Sequence, residues 1–171
     1  MIRSLATLAT SATLLLASSM TTGAPAVPGA RALERFLALD GTWRGTSTKG
    51  WTEEVTFQTI AGGTAVLETS VQESGQNRMA TVFHLDGERL LLTHYCMARN
   101  HPRLVATAVE EGGRSITFTY VDATNLASRD KGHMDKAVYR FDGPDSYTTR
   151  WTWYQDGAEK WMEEIRMTRV K

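Results

Sequence analysis

The stretch Met79–Cys96 reads MATVFHLDGERLLLTHYC, two runs of strand-forming residues on either side of an Asp-Gly pair. Period-two alternation around a turn that tolerates positive φ is the pattern of a β-hairpin. Taking Asp86-Gly87 as a two-residue turn pairs Leu85 with Glu88 and sorts the side chains onto two faces. One face carries Met79, Thr81, Phe83, Leu85, Leu90, Leu92, His94 and Cys96. The other carries Ala80, Val82, His84, Arg89, Leu91, Thr93 and Tyr95. The first face is the more apolar, so it is expected to point into a core. A three-residue turn would invert the relation between the two strands.

The same pattern continues along the chain. Strands are expected at 41–46, 52–60, 64–71, 78–86, 89–96, 103–110, 115–121, 134–141, 146–155 and 160–170. Between them stand AGG, ESGQN, DG, EGG, DGPD and DG, residues suited to tight turns. Ahead of the strands, VPGARALERFLALDG places Leu33, Phe36, Leu37 and Ala30 at helical spacing, with Pro28 fit for a first turn and Gly41 for a stop. The fold class expected is all-β: a closed antiparallel up-and-down barrel of about ten strands with one short N-terminal helix. Short connections favour this over a Greek-key sandwich. The exception is Asp122–His133, a long polar loop of the length that serves as a lid or a mobile segment.

The chain has 171 residues, enough for a single domain with a sizeable core. Residues 1–26 combine Arg3, an uncharged run of small and apolar residues, and an Ala-Pro-Ala site, the order of a secretory signal peptide. The expected mature domain is 27–171, exported to a periplasm or secreted. Cleavage would remove Arg3 and leave 18 basic against 19 acidic residues. That balance provides no electrostatic footprint for nucleic acid. No second apolar run is long enough to span a bilayer. One cysteine excludes an internal disulfide, so stability rests on the core.

LDGTWRG at Leu39–Gly45 resembles the G-x-W motif that opens lipocalin-like (calycin) barrels. The resemblance implies a short helix before the motif, a tryptophan plugging the closed end, and an arginine of a late strand across its indole. Trp43 matches the tryptophan, and Arg166 or Arg169 is placed to supply the arginine. MATVFHLDGERLLLTHYCMARNHPRL is also similar to segments of uncharacterised exported bacterial lipocalin-like proteins, a likeness that implies fold and no activity. Haem-binding barrels of nitrobindin type share a similar opening.

A second hairpin about Asp156-Gly157 groups Tyr147, Thr149, Trp151, Trp153, Lys160, Met162, Glu164 and Arg166. Thr148, Arg150, Thr152, Tyr154, Glu159, Trp161, Glu163 and Ile165 form the opposite face, with Arg150 and Glu163 as a surface ion pair. The candidate ligand-binding residues are therefore Phe83, His94, Cys96, Tyr147, Trp151, Trp153 and Arg166. Aromatic rings would bury an apolar body, and the Arg and Tyr donors would hold a carboxylate or polar head. The expected partner is a small hydrophobic or amphipathic molecule held non-covalently. No cofactor is expected from the residues. The alternative is haem on His94 or His133, which would be non-covalent because C-x-x-C-H is absent. A further alternative is a Cys96/His94 nucleophile, for which no orienting partner or oxyanion-hole signature is present. His84, His94, His101 and His133 lack zinc spacing. In Ala98–Arg103, Arg103 reads as solvated, and Arg99 and His101 stand as candidates for closing over an anion.

Overall fold

Phe36 explains how the barrel is closed at one end. In the computed structural model, which describes residues 29–171 apart from the side chains of Glu111, Trp161 and Met162, helix α1 (Gly29–Leu37) lies across that end. Its buried face is Gly29, Ala32, Leu33 and Phe36, whereas Ala30 is exposed. The Phe36 ring stacks on Phe83 at 4.1 Å and meets the edges of Tyr139, Phe141 and Phe118 at 5.1, 5.6 and 5.9 Å. Burying such a ring contributes about 1.5–3 kcal/mol, which is how a nine-residue helix, marginal alone, is held in place. The helix stops at Leu37, ahead of the expected Gly41, in a turn where Leu39 N donates to Phe36 O at 3.0 Å. The signal-peptide reading of 1–26 and the role expected of Pro28 lie outside the described residues.

Ten strands follow: β1 (Gly41–Ser47), β2 (Thr52–Ile60), β3 (Ala65–Gln72), β4 (Met79–Asp86), β5 (Arg89–Tyr95), β6 (His101–Val109), β7 (Ser115–Thr124), β8 (His133–Gly143), β9 (Ser146–Gln155) and β10 (Ala158–Arg169). Each pairs antiparallel with its sequence neighbours and β10 returns to β1, closing the barrel without a free edge. The all-β, up-and-down, one-helix architecture is thus as the turn spacing implies.

Register shows how side-chain faces are set. In the β4–β5 hairpin the turn residues are Gly87-Glu88, since Asp86 pairs with Arg89 and Leu85 with Leu90. The register slides by two residues from the expected one, so facing parity is unchanged. Phe83, Leu90, Leu92 and His94 do point inward. The β9–β10 hairpin differs. A bulge at Lys160, between the Tyr154–Glu159 and Trp153–Trp161 pairs, adds one residue and inverts the face of β10 beyond it. Glu163, Ile165 and Met167 are buried as a result. Arg166 pairs with Thr148 on the outer face, 79 % exposed, near Glu164. The surface ion pair is Arg150–Glu164 at 3.7 Å, in place of Arg150–Glu163.

At the closed end Trp43 is fully buried and its Nε1 donates to Leu39 O at 2.7 Å. The arginine across its indole is Arg169, 4.2 Å from the ring centre, and not Arg166. Arg169 also donates to the carbonyls of Asp40 (2.6 Å) and Ala38 (3.0 Å), satisfying oxygens left open where the helix ends. Gly45 completes the motif for a packing reason: a Cβ there would meet Met167 Sδ at 2.1 Å.

Candidate functional site

The lower half of the barrel is filled by Phe36, Phe83, Phe118, Tyr139 and the leucines around them. Above this layer the side chains no longer meet. A cavity of about 440 Å³ runs from there to the loops at the far end, which join β1 to β2, β3 to β4 and β5 to β6. Its aromatic wall is Trp151 and Trp153 on β9, with Met134 beside them on β8 and Trp51 at the rim. Met79, Met97 and Cys96 add soft apolar surface. Gly132 makes room for this wall, because a Cβ there would lie 2.3 Å from the Trp153 ring.

An acidic wall adjoins it, since Glu163 on β10 is the cross-strand partner of Trp151. Glu53 on β2, Glu68 on β3 and Glu163 on β10 all line the cavity, and each is less than one-tenth exposed. Glu163 accepts from Ser47 Oγ at 3.0 Å. Glu68 accepts from Tyr139 Oη at 3.0 Å, and Thr81 Oγ1 donates to its other oxygen at 3.4 Å. Burial pushes the Glu53 carboxyl up to about 8, helped by repulsion from Glu68 and Glu163. Burial pushes Glu68 up to about 7, against the two hydrogen bonds that favour its ionised form. Among the described residues, no Lys or Arg lines this cavity.

His94, 4 % exposed, stands between the two walls with its ring 4.8 Å from that of Trp151. Its Nδ1 lies 3.0 Å from Thr81 Oγ1, and its Nε2 is buried with no hydrogen-bond partner among the described residues. Burial drives its pKa down to about 4, with a smaller push from His101.

Of the residues expected from sequence, the structure brings together His94, Cys96, Tyr147, Trp151 and Trp153 on the cavity wall. Phe83 is one layer deeper, part of the plug under Phe36, and does not line the cavity. Arg166 is outside, for the bulge reason given above. Cys96 receives the Ala98 N–H at 3.5 Å, and burial raises its thiol pKa. Because His94 Nε2 has no partner and Nδ1 faces Thr81, the imidazole does not form the pair with Cys96 that a nucleophile requires. His133 uses both ring nitrogens: Nδ1 donates to Lys131 O at 2.6 Å and Nε2 accepts from Arg129. Among the described residues, no group of three His, Cys, Asp or Glu is placed to hold a metal.

Arg103 pairs with Asp122 on the outer surface, and Arg99 is exposed. The loop between β7 and β8 is pinned: Arg129 lies between the rings of Tyr120 and Tyr154, 4.2 and 4.1 Å away, and bonds to Asp135. Asn100 Nδ2 donates to Gly132 O at 2.8 Å.

The acidic wall is what the sequence reading missed. For Glu53 a signal existed, since it shares parity with Val55 and Phe57, both buried. Glu68 sits where Val66 and Leu67 offer either parity, and Glu163 depends on a bulge that no residue type announces.

No protein-family model and no curated protein matches the chain. Among solved structures, it is similar to a protein of unknown function of the DUF3598 family from Nostoc punctiforme, with a TM-score of 0.53 and 11 % identity. The match covers 78 % of this chain and 48 % of that one, so the chain spans about half the length of the structure it matches. The likeness concerns the fold alone. No helix of the described residues is long and apolar enough to cross a membrane.

Proposed function

We propose that this chain is an exported lipocalin-like carrier that binds a small amphipathic or hydrophobic molecule non-covalently in its barrel. The hollow, tryptophan-walled upper half above a solidly packed floor carries this reading. A barrel serving only as scaffold gains stability from filling that volume, because an unfilled void forfeits dispersion contacts. Concave, apolar sites with a few convergent polar groups are what ligands of this size require. The Trp43–Arg169 closure and the helix across the floor support the lipocalin-like assignment.

The test is native mass spectrometry of the purified protein with tryptophan fluorescence titrations against alkyl and aromatic amphiphiles. Saturable quenching that Trp151→Ala reduces is the expected result. Absence of saturable binding across the series overturns the carrier reading.

Haem is the second reading, favoured by one observation: His94 Nε2 is unpaired beside an apolar wall. The remaining donor set does not fit it. Three carboxyl groups share the cavity, and among the described residues no Lys or Arg lines it to meet the propionates. A Soret band that develops on adding haem and disappears in His94→Ala would reverse this ranking.

A further inference from the structure

Every polar group that the acidic wall offers to the cavity, once ionised, is an acceptor. Two hydroxyls already point at Glu68: Tyr139 Oη donates to one oxygen and Thr81 Oγ1 to the other. The single Thr81 proton is then committed, so its oxygen accepts from His94 Nδ1–H across the 3.0 Å contact. That direction of donation leaves His94 Nε2 as a bare lone pair, buried and unpartnered on the same cavity wall. Glu53 on the neighbouring strand β2 and Glu163 on β10, across β1, add carboxyl oxygens, and among the described residues no Lys or Arg of the cavity wall neutralises them. Among the described residues no donor reaches His94 Nε2 and no positive charge lines the site, and the indoles of Trp51, Trp151 and Trp153 beside it are side chains that attract cations.

We propose that the occupant is an amphipathic amine, its apolar or aromatic body among the tryptophans and its protonated nitrogen among Glu53, Glu68, Glu163 and His94. The assignment rests on the carrier reading and adds the charge of the head group. It replaces the expected carboxylate or polar head, whose carboxylate form depended on Arg166 facing inward. An ammonium supplies both things missing, N–H donors for His94 Nε2 and the carboxylates, and a charge that makes their ionisation favourable in a desolvated pocket. A carboxylate ligand would meet no Lys or Arg among the described residues of the cavity wall and would be repelled by whichever of the three carboxyls is ionised.

The groups facing this site are Glu53 (β2), Glu68 (β3), His94 (β5) with Cys96 just beyond it, Tyr147 (β9) and Glu163 (β10), with Tyr139 (β8) behind Glu68. Glu53 and Glu68, pushed up to about 8 and about 7, hold their protons at neutral pH in the free protein, so ammonium binding expels protons.

The deciding experiment titrates the full-length protein, freed of leader, with decylammonium, decanoate and decanol by calorimetry. Decylammonium is expected to bind about tenfold or more tighter than either of the others. Its affinity should rise from about pH 6 to about pH 9 as Glu68 and Glu53 ionise, with proton release that varies with buffer ionisation enthalpy. Decanol should show neither effect. Glu53→Gln and Glu163→Gln should each weaken decylammonium severalfold and leave decanol within about twofold. Equal or tighter binding of decanoate or decanol, or pH-independent decylammonium binding, overturns the amine assignment and leaves the carrier standing. If none of the three binds, the carrier reading itself fails. The wild-type pH series decides the matter even where a Glu→Gln variant does not fold.

Discussion

At the scale of single residues, two neighbours on one wall are expected to behave oppositely. His94 Nε2 is buried and unpaired, and the structure already bears the cost of an unmade hydrogen bond there, about 1–3 kcal/mol. A ligand that satisfies it recovers part of that. His94→Ala should therefore weaken binding of the preferred amphiphile by about tenfold, measured by tryptophan quenching. Cys96 lines the same cavity, yet burial favours its protonated thiol, and the hydrogen bonds to its sulfur come from the backbone N–H groups of Met97 and Ala98. Cys96→Ser should bind within about twofold of wild type, and the native thiol should label slowly beside a denatured control. Fast labelling in the native state, or loss of binding in Cys96→Ser, would contradict this assignment.

At the scale of elements, strand ends and loops hold the two halves of the barrel in different ways. Arg169, at the end of β10, ties α1 to the barrel through the carbonyls of Ala38 and Asp40 and through the face of Trp43. Arg169→Ala removes those bonds together and should cost about 2–4 kcal/mol in urea denaturation. Arg169→Lys should recover only part, because an ammonium lacks the planar fork that reaches both carbonyls and stacks on the indole. Gly132→Ala acts at the other end. The added Cβ would occupy the position of the Trp153 ring, so the indole must swing away from the cavity wall. The expected result is a folded protein with altered tryptophan emission and ligand affinity reduced severalfold. A variant with unchanged emission and unchanged affinity would show that Trp153 does not shape the site.

At the scale of the whole molecule, the buried acids set how stability changes with pH. In the unfolded chain Glu53 and Glu68 ionise near 4.5, whereas in the barrel they do so near 8 and 7. Between those limits the folded state binds more protons, so stability falls as pH rises through that window. His94 works the other way: folded near 4 against 6.5 unfolded, it removes stability as pH falls between those values. Two acids outweigh one imidazole below about pH 6.5, and above that they act unopposed until about pH 7 and then about pH 8. The ligand-free barrel should thus melt at lower temperature at pH 8 than at pH 5.5, with the steepest loss near neutrality. Glu53→Gln should flatten the slope and raise the melting temperature at pH 8. A profile that rises from pH 5.5 to pH 8 would mean that these carboxyls are not desolvated as the structure has them.

What could be read from the order of residues was the architecture. Turn dipeptides at regular spacing, period-two strands and one amphipathic run are local features, and sequential pairing of neighbours converts them directly into an up-and-down barrel. Facing parity in β4 and β5 was equally legible, even with the turn misplaced by one residue, because a slide of two residues keeps every side chain on its face. The character of the cavity was not legible. It depends on the bulge at Lys160, which turns Glu163 inward and Arg166 outward, and on barrel closure, which brings Glu163 of β10 to Glu53 and Glu68 of the β2–β3 hairpin. A bulge changes which face every following residue occupies without changing the residues themselves. The aromatic wall was therefore written in the sequence, and the sign of the charge beside it was decided by the fold.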